Sequence, residues 1–555
     1  MFTSCPCRAL FCCVTMTAGT SFFFITFQAR HNFAKAATKA VVFHELPPPP
    51  PPFLSGTAVY QPATQNNFLR WTKNTLRIVQ ICFVFIPVLW SYFLFRFFHL
   101  ANMPYVLDKL VDAIETLGPS FIKLAQWAST RPDIFGANFT IALRQMTIAA
   151  PRHTYSETLR ILEKELGAHY TDLADVSPSV IGSGAVAQVH TATVVKTNQK
   201  VAVKVLHPRV RENFDRDLDV LAGVAWLLSS PRLARWIPSG SELYASVIEF
   251  SSFMRSQLDL TGEGAALLRF SANFRGVQSD VRFPQPLLQY NTPAVLVESL
   301  EPGTVMNEYL ASGSLDHVDA TTKHNLAVTG IKMFLKMIFV DNYVHGDLHP
   351  GNMLVAPDGH TLVILDPGLI TTLSPDDRRN FLSLFAAVAA GDGKLGAKLM
   401  LEKSRGGKDV IYRIDKARYE ADMDRIFSAV NGTESAKRTF QLADVKVGDV
   451  LTDVLDTVQR HGIRIESNFT TLIASIIVLE GVGRQLDPNL NIFASAAPFL
   501  LSEAVLDESE VAFLRKVIRK RYAVPKKTTY TGGKWYKWLT SDLLGKKDDV
   551  DVDEE

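Results

Sequence analysis

His345-Gly346-Asp347-Leu348-His349-Pro350-Gly351-Asn352 is the stretch that decides the fold of this chain, and Leu365-Asp366-Pro367-Gly368 follows it closely. Phosphoryl transfer needs a carboxylate beside the attacking hydroxyl and, separately, oxygen ligands for magnesium. Asp347 can supply the first, and Asn352 with Asp366 the second. A polar turn between core elements would account for any one of these residues, but not for all of them at these intervals.

The spacing of the motifs is as informative as the residue types. The interval from Asp347 to Asn352 is that of the kinase catalytic loop, and Asp366-x-Gly368 takes the place of the kinase metal-binding motif. Short apolar runs predict buried strands at 352–355 and 362–365, joined by a hairpin turn at Asp358-Gly359. Both metal-ligand candidates are therefore expected at the edges of one small hairpin.

Residues upstream predict the other half of a nucleotide site. Alternating apolar residues predict strands at 189–195 and 201–206, and Lys204 on the second strand is expected at the cleft. Because Ala187 replaces the third glycine of a phosphate loop, we expect a stiffer loop than in ordinary protein kinases. The candidate phosphate-loop residues are Gly182, Gly184, Ala185, Ala187 and Gln188.

Together these motifs resemble those of the UbiB family of atypical kinases, also called aarF-domain-containing kinases. The segment 117–126, with Lys123 and Gln126, resembles the Lys-x-Gly-Gln signature of that family, although Ala125 replaces its glycine. The resemblance runs from about Asp108 to about Leu501. It implies a helical extension that covers the cleft where a protein substrate would otherwise bind and that brings Lys123 towards the nucleotide.

The resemblance leaves the ion-pair partner of Lys204 open. Where the family carries Glu-x-Asp, this chain has Gln257-Leu258-Asp259. Gln257 cannot balance a lysine charge, so Asp259 or Glu263 must do so, or the pair is weakened. The Gln-x-Asp form and the glycine-containing loop are similar to the subgroup called aarF-domain-containing kinase two.

The same resemblance implies a fold, a site and cofactors. We expect an α+β, two-lobed protein-kinase-like fold with a β-rich small lobe, a helical large lobe and an N-terminal helical extension. ATP and Mg²⁺ are the implied cofactors, and Lys204 and Asp347 are the implied catalytic residues. Glu298 lies in the segment that resembles the hinge, where adenine would bind.

Composition and charge limit the class of protein. A chain of 555 residues with 47% hydrophobic content can bury a substantial core, and a net charge of +2 argues against nucleic acid as the main partner. Eight basic residues and one acidic residue precede Asp108, which is typical of an organelle-targeting segment. We predict a mitochondrial protein of the inner membrane. A secretory-pathway membrane is the alternative, because residues 9–27 are uncharged. All five cysteines precede the kinase-like region, which therefore has no disulfide chemistry.

An uncharged stretch near the amino terminus predicts a membrane helix. Residues 78–95, between Arg77 and Arg96, are just long enough to span a bilayer, and Pro87 would kink the helix. A buried hairpin helix is the alternative. The predicted organisation is a targeting presequence at 1–45, a Pro-rich linker at 46–77, a membrane helix at 78–98, the helical extension at 104–175, the small lobe at 176–296, the hinge and large lobe at 297–523, and a charged tail at 524–555.

These features predict an ATP-binding atypical kinase or ATPase at a mitochondrial membrane. The family resemblance implies a role in coenzyme Q (ubiquinone) biosynthesis or distribution, or in lipid metabolism. Quinone precursors, lipids and coenzyme Q biosynthetic proteins are the implied partners. One alternative is a small-molecule kinase of the choline or aminoglycoside type, a class that lacks the extension around Lys123. The other is a nucleotide-binding pseudokinase scaffold, which Gln257 favours.

Overall fold

The sheet of the small lobe is antiparallel and places Lys204 on one of its faces. Its strands are β1 Leu173–Ala174, β2 Val180–Ser183, β3 Ala187–Val194, β4 Gln199–Leu206 and β6 Val295–Ser299. Their order in the sheet is β1-β3-β4-β6, with β2 paired to β3. Across the sheet, Lys204 lies opposite Val189 on β3 and Leu296 on β6, so these three side chains share a face.

This computed structural model describes most of the kinase-like region and parts of its flanks. The predicted presequence and the predicted charged tail lie outside the described residues. The described residues are 67–98, 103–129, 131, 140, 143, 152–229, 240–276, 278–311, 314–390, 392–402, 414–429, 447–463, 465, 467–490 and 492.

The other face of the sheet packs against helix α4 (Tyr155–Leu166). Thr154 and Glu157 begin this helix, because the Thr154 backbone N donates to Glu157 Oε2 at 3.0 Å. Leu162 and Leu166 of α4 are buried together with the valines at alternate positions of β4. The alternation of β4 therefore separates an apolar outer face from the face that carries Lys204.

Three of the described helices lie between β4 and β6 in the small lobe. Asp259 caps the last of them, because its Oδ1 accepts from the backbone N of Thr261 at 3.0 Å. Leu260, Leu267 and Phe270 bury one side of that helix. The three helices are α5 Val210–Leu228, α6 Gly240–Gln257 and α7 Leu260–Phe274.

The large lobe contains a small sheet built around a hairpin. In this hairpin, β9 pairs with β10 across the turn that contains Gly359, whose φ of +72° requires glycine. Parallel β5 and antiparallel β7 complete this sheet, and β8 pairs with β11. The strands are β5 Val281–Arg282, β7 Thr304–Val305, β8 Val344–His345, β9 Met353–Val355, β10 Leu362–Ile364 and β11 Ile370–Thr371.

Helices form the rest of the large lobe. The long helix Ala320–Lys336 continues into a π-helical turn, Met337–Asp341, that leads into β8. The α-helices described there are α8 Met306–Tyr309, α9 Ala320–Lys336, α10 Pro375–Ala390, α11 Gly393–Glu402, α12 Lys416–Ala429, α13 Val447–Arg460 and α14 Ser467–Leu486. A β-rich small lobe and a helical large lobe confirm the predicted two-lobed, protein-kinase-like α+β fold. The sheet runs from Leu173 to Ser299, slightly beyond the predicted small-lobe limits at both ends.

Three described α-helices precede residue 130, and the first starts earlier than the predicted membrane helix. Helix α1 (Asn67–Phe93) includes residues 67–77 of the predicted linker, and it passes through Pro87. Helices α2 (Met103–Leu117) and α3 (Pro119–Ser129) follow, separated at Gly118, whose φ is +89°. The linker assignment failed there because prolines restrict the chain only as far as Pro62.

Arg77, at the predicted start of the membrane segment, forms a buried ion pair. Its Nε and Nη2 donate to the two carboxylate oxygens of Asp217 on α5, both at 2.8 Å, and Nη2 also donates to the Leu117 carbonyl at 2.6 Å. Both charged side chains are buried. Arg77 thus ties the start of the apolar helix to the extension and to the small lobe.

Two described helices are long and apolar enough to cross a membrane. The stretch Thr72–Phe93 of α1 has a mean hydropathy of 1.8, with 11% of its most apolar window buried. The stretch Asn468–Leu486 of α14 has a mean hydropathy of 1.3, but 67% of its window is buried. Helix α14 is therefore a core helix of the large lobe, and α1 is the membrane candidate.

The close approach of α11 to α12 predicts a stability difference between two glycine substitutions. A Cβ at Gly393 would contact the backbone of α12, lying 2.6 Å from the Asp424 N and 2.8 Å from the Met423 carbonyl carbon. Gly393→Ala should therefore lower the free energy of unfolding by about 1–3 kcal/mol. Gly481→Ala on α14 is the matched control, since its Cβ would meet no atom within 4 Å. It should raise stability by about 0.5–1 kcal/mol. Urea titrations of both proteins measure the difference, and equal midpoints would contradict the packing described.

Candidate active site

Lys204 joins both lobes through two carboxylates. Its Nζ donates to Glu263 Oε1 and Oε2 on α7 at 2.7 and 2.8 Å, and to Asp366 Oδ1 at 2.6 Å. The Lys204 side chain is 12% exposed and that of Asp366 is 50% exposed. Lys204 is thus held by Glu263 of the small lobe, and it contacts Asp366 of the large lobe at the open side of the cleft.

The charged groups of this cluster shift one another's pKa values. Desolvation would lower the pKa of Lys204, but the charges of Asp366 and Glu263 outweigh it and raise that pKa. Desolvation would also raise the pKa of Asp366, but Lys204 outweighs it and lowers that pKa, with a smaller contribution from Lys123. Burial raises the pKa of Glu263 to about 7, which Lys204 only partly offsets. Asp366 is therefore the carboxylate of this cluster that holds its negative charge most firmly.

The structure resolves the ion-pair partner that the sequence left open. Glu263 forms the ion pair with Lys204, whereas the Asp259 carboxylate caps the N-terminus of α7. Gln257 ends α6, and its Oε1 is buried without a hydrogen-bond partner among the described residues. Gln257 thus has no part in the ion pair of Lys204, because the partner, Glu263, lies one helical turn after the N-cap of α7.

A buried histidine orients the catalytic loop. His345 Nε2 donates to the Leu365 carbonyl at 3.0 Å, and its Nδ1 accepts from the Asp347 backbone N at 3.2 Å. Burial lowers the pKa of His345, which favours the neutral ring that both bonds require. Asp347 is thereby held at a fixed distance from the residue that precedes Asp366. Gly346 must be glycine, because a Cβ would lie 2.8 Å from Leu369 Cγ.

Asn352 and Asp366 fit a magnesium site. Asn352 Nδ2 donates to the Asp347 carbonyl at 3.0 Å, which leaves the amide oxygen as the atom for a ligand. Asp366 has a φ of +52°, a conformation that non-glycine residues rarely adopt and that concentrates at functional sites. Among the described residues, no three His, Cys, Asp or Glu side chains could hold a metal together. Mg²⁺ commonly takes one or two protein ligands and completes its shell with phosphate and water, so this pair suits it.

The small-residue loop is a tight turn between β2 and β3. Gly184 N donates to the Ala187 carbonyl at 2.9 Å, and Ala185 and Ala187 are each 3% exposed. The two glycines are not required by the chain itself, because Cβ atoms at Gly182 and Gly184 would meet nothing closer than 4.0 and 3.8 Å. Room beside these backbones is what a phosphate would need in order to approach them.

Gln188 does not lie where the sequence predicted. It pairs with Val205, so its side chain points to the sheet face opposite Lys204. There it is fully buried and contacts His153, Thr158 and His190. A nucleotide on the Lys204 side cannot meet the Gln188 side chain, because successive residues of a strand point to opposite faces.

Of the remaining predicted residues, Glu298 and Lys123 lie near the Lys204 cluster. Glu298 pairs with Ala202 and so shares the face of Lys204, where its Oε2 is buried without a hydrogen-bond partner among the described residues. Lys123, on α3, lies close enough for its charge to lower the pKa of Asp366. Gln126 is exposed one turn further along the same helix. The sequence placed Glu298 in a hinge, but only the register shows that its carboxyl faces the lysine.

Comparisons with known proteins show the family of this chain. A model described as the ABC1 atypical kinase-like domain matches residues 145–400, and one described as the UbiB helical domain matches residues 438–491. A mitochondrial ABC1 family protein of Saccharomyces cerevisiae is 30% identical over 78% of this chain and 75% of its own length. The chain belongs to the ABC1/UbiB family of atypical kinases.

Other relatives of this UbiB-family protein carry kinase names. A Dictyostelium discoideum protein named "Probable serine/threonine-protein kinase abkC" is 31% identical over 72% of this chain, which spans 65% of that relative's length. A Vibrio cholerae protein named "Probable protein kinase UbiB" is 27% identical over 71% of this chain and 70% of its own length. The kinase-like match includes Lys204, Asp347 and Asp366, whereas Lys123 precedes it.

The buried Glu298 predicts a pH dependence of stability. Burial, aided by the charge of Glu263, raises the pKa of Glu298 to about 8. An unfolded glutamate titrates near about 4.3, so between these values the folded protein keeps a proton that the unfolded chain releases. Stability should therefore fall as pH rises through this window. Between pH 5.5 and 8, wild type should lose about 3 kcal/mol more than Glu298→Gln. Denaturant titrations test this, with the exposed Glu163→Gln as control, and parallel losses in all three proteins would contradict it.

Proposed function

We propose that this UbiB-family protein is an ATP-binding atypical kinase or ATPase that acts in mitochondrial coenzyme Q biosynthesis or distribution and in lipid metabolism. The observation that carries the proposal is the contact of Lys204 with both Glu263 and Asp366. A lysine held by a helix carboxylate next to the metal motif is the arrangement that active phosphoryl-transfer sites require. It also removes the feature that favoured a scaffold, because the lysine has its partner although Gln257 is not acidic.

Each polar residue of the cleft has a role in this proposal. Lys204 supplies a fixed positive charge for the ATP phosphates, and the turn at Gly184 offers backbone amides to them. Asn352 and Asp366 would hold Mg²⁺, which neutralises charge on the phosphates when bound. Asp347 accepts the proton of the attacking hydroxyl or water and orients it, while His345 keeps the Asp347 backbone in place.

The position of the extension supports a small acceptor, or water, rather than a protein substrate. Helix α3 brings the Lys123 charge within reach of Asp366, at the open side of the cleft. Trp127 of α3 packs against Phe250 of α6 with ring centroids 5.3 Å apart, which fixes the extension to the small lobe. Small-molecule kinases of the choline type lack this extension, which disfavours that alternative.

Membrane attachment through α1 supports a substrate that resides in or on a bilayer. Large apolar side chains of α1 are exposed, among them Phe83, Leu89 and Trp90. The basic, acid-poor amino terminus and the mitochondrial yeast relatives support the mitochondrion as the compartment. Quinone precursors and lipids are acceptors that such a helix would keep close to the cleft.

Asp347→Asn tests the catalytic part of the proposal. The substitution keeps the shape of the side chain but removes the base, so ATP turnover should fall by about 100-fold or more. Binding of Mg-ATP should change little, since Asp347 holds neither phosphate nor metal. Steady-state hydrolysis by purified full-length protein, with phospholipid and a quinone-precursor mimic present, measures the loss, and Glu163→Gln is the control.

The same variant tests the pathway. Cells whose only copy carries Asp347→Asn should show a lower coenzyme Q content or a changed mitochondrial lipid profile, and cells lacking the protein should show the same change. Hydrolysis at the wild-type rate by Asp347→Asn would refute the catalytic assignment. Loss of hydrolysis with unchanged quinone and lipid profiles would refute the metabolic one.

A further inference from the structure

A buried network of polar side chains lies on the sheet face opposite Lys204, and the proposed chemistry does not use it. Thr158, Gln188 and His190 are 0% exposed, and His207 is 8% exposed. His153, which precedes α4, completes the network and is half-buried. Buried polar groups without partners are costly, so the direction of each hydrogen bond here is strongly constrained.

The directions can be assigned starting from the phosphate loop. His207 Nε2 lies 3.0 Å from the Gly184 carbonyl, which can only accept, so Nε2 carries the hydrogen. Burial lowers the pKa of His207, so its ring is neutral and its Nδ1 accepts. His153 Nδ1, 2.7 Å away, must then donate. Each ring therefore has a single tautomer in this arrangement.

The chain continues from His153 into α4. Burial, together with the neighbouring His207, lowers the pKa of His153 to about 4, so this ring is neutral as well. With its hydrogen on Nδ1, its Nε2 must accept from Thr158 Oγ1, which lies 3.0 Å away. The hydroxyl of Thr158 thus begins a series of directed hydrogen bonds, here called the relay. It passes through His153 and His207 and ends at the Gly184 carbonyl.

Gln188 and His190 fix the other side of this relay. Gln188 Oε1 accepts from the His153 backbone N at 3.1 Å, which identifies its other terminal atom as the amide nitrogen. That nitrogen can only donate, and it lies 3.0 Å from His190 Nε2, 3.2 Å from Thr158 Oγ1 and 3.2 Å from the His153 carbonyl. His190 donates through Nδ1 to the Ser177 carbonyl at 2.7 Å, so its Nε2 accepts. Thr158 Oγ1 also lies 3.1 Å from His190 Nε2, but the Gln188 amide supplies a hydrogen to that nitrogen, so the single hydrogen of Thr158 goes to His153 Nε2.

His207 clamps the loop at two points. Its backbone N donates to the Val186 carbonyl at 2.9 Å, and its ring donates to the Gly184 carbonyl. In a trans peptide the C=O and the following N–H point in opposite directions. Holding the Gly184 carbonyl on the network therefore turns the Ala185 N–H away from the network. An N–H fixed in this way is a donor for a phosphate oxygen.

We propose that the relay from Thr158 through His153 to His207 positions the phosphate loop for nucleotide, so that these three are positioning residues for the reaction. The inference rests on the proposed function for its ligand, ATP. The clamp itself is a property of the protein without nucleotide. It connects α4, which lies far from the catalytic loop along the chain, to the loop between β2 and β3 that we propose for the phosphates.

Thr158 offers the sharpest test, because it touches neither the loop nor the cleft. Thr158→Val keeps the shape and removes the hydroxyl, whereas Thr158→Ser keeps the hydroxyl. Hydrogen exchange of full-length protein without nucleotide should be faster over residues 184–187 in Thr158→Val, and at the wild-type rate in Thr158→Ser. The dissociation constant of a fluorescent Mg-ATP analogue should rise about threefold or more in Thr158→Val only.

Two substitutions at His207 provide a second test of the clamp. His207→Leu removes the ring donor and should raise the dissociation constant of the Mg-ATP analogue about tenfold or more. His207→Gln places an amide near the position of the ring Nε2 and should restore most of the affinity. Wild-type exchange of the loop in Thr158→Val refutes the clamp, even if His207→Leu does not fold. Faster exchange with unchanged affinity refutes the positioning role. If wild type binds no nucleotide, the proposed function fails, and the exchange data still decide whether the clamp exists.

Discussion

The contact of one lysine with two carboxylates is the interaction on which the rest of the structure depends. Lys204, Glu263 and Asp366 come from a strand, a helix and the large lobe, and they meet within 2.8 Å. Removing one member of a buried charged set typically costs about 3–5 kcal/mol, because it leaves a charge uncompensated. The register of the sheet, the cap of α7 and the packing of the lobes all serve to bring these three side chains together.

Each neighbouring element acts on this contact. His345 ties the catalytic loop to the residue before Asp366, and α3 adds the charge of Lys123 to the open side. Behind the sheet, His207 holds the loop that would cover the phosphates. Arg77 joins the apolar helix α1 to the same small lobe through Asp217. A cleft that the extension approaches on its open side, in a small lobe joined to an apolar helix, is consistent with the proposed chemistry on a membrane-resident substrate.

The sequence predicted what depends on short spacings and missed what depends on three-dimensional contacts. Asp347, Asn352 and Asp366 were found because their intervals follow from one loop and one hairpin. Glu263 could not be separated from Asp259, since chain spacing does not say which residue caps a helix. Gln188 was misplaced because strand alternation assigns a face only once the register is known. The histidine network joins residues from α4, β3 and β4, and no spacing along the chain indicates such a contact. The start of α1 was missed because Arg77 looked like a membrane flank but is buried against Asp217.

The central claim is that the pair of Lys204 with Glu263 organises a nucleotide site. The most direct measurement is the dissociation constant of a fluorescent Mg-ATP analogue for Glu263→Gln and for Asp259→Asn, two neutralising changes within one turn of the same helix. Glu263→Gln should weaken binding by about tenfold, or ~1.4 kcal/mol, and Asp259→Asn by no more than about twofold. Equal affinities in both variants and wild type, or a larger loss in Asp259→Asn, would contradict the claim.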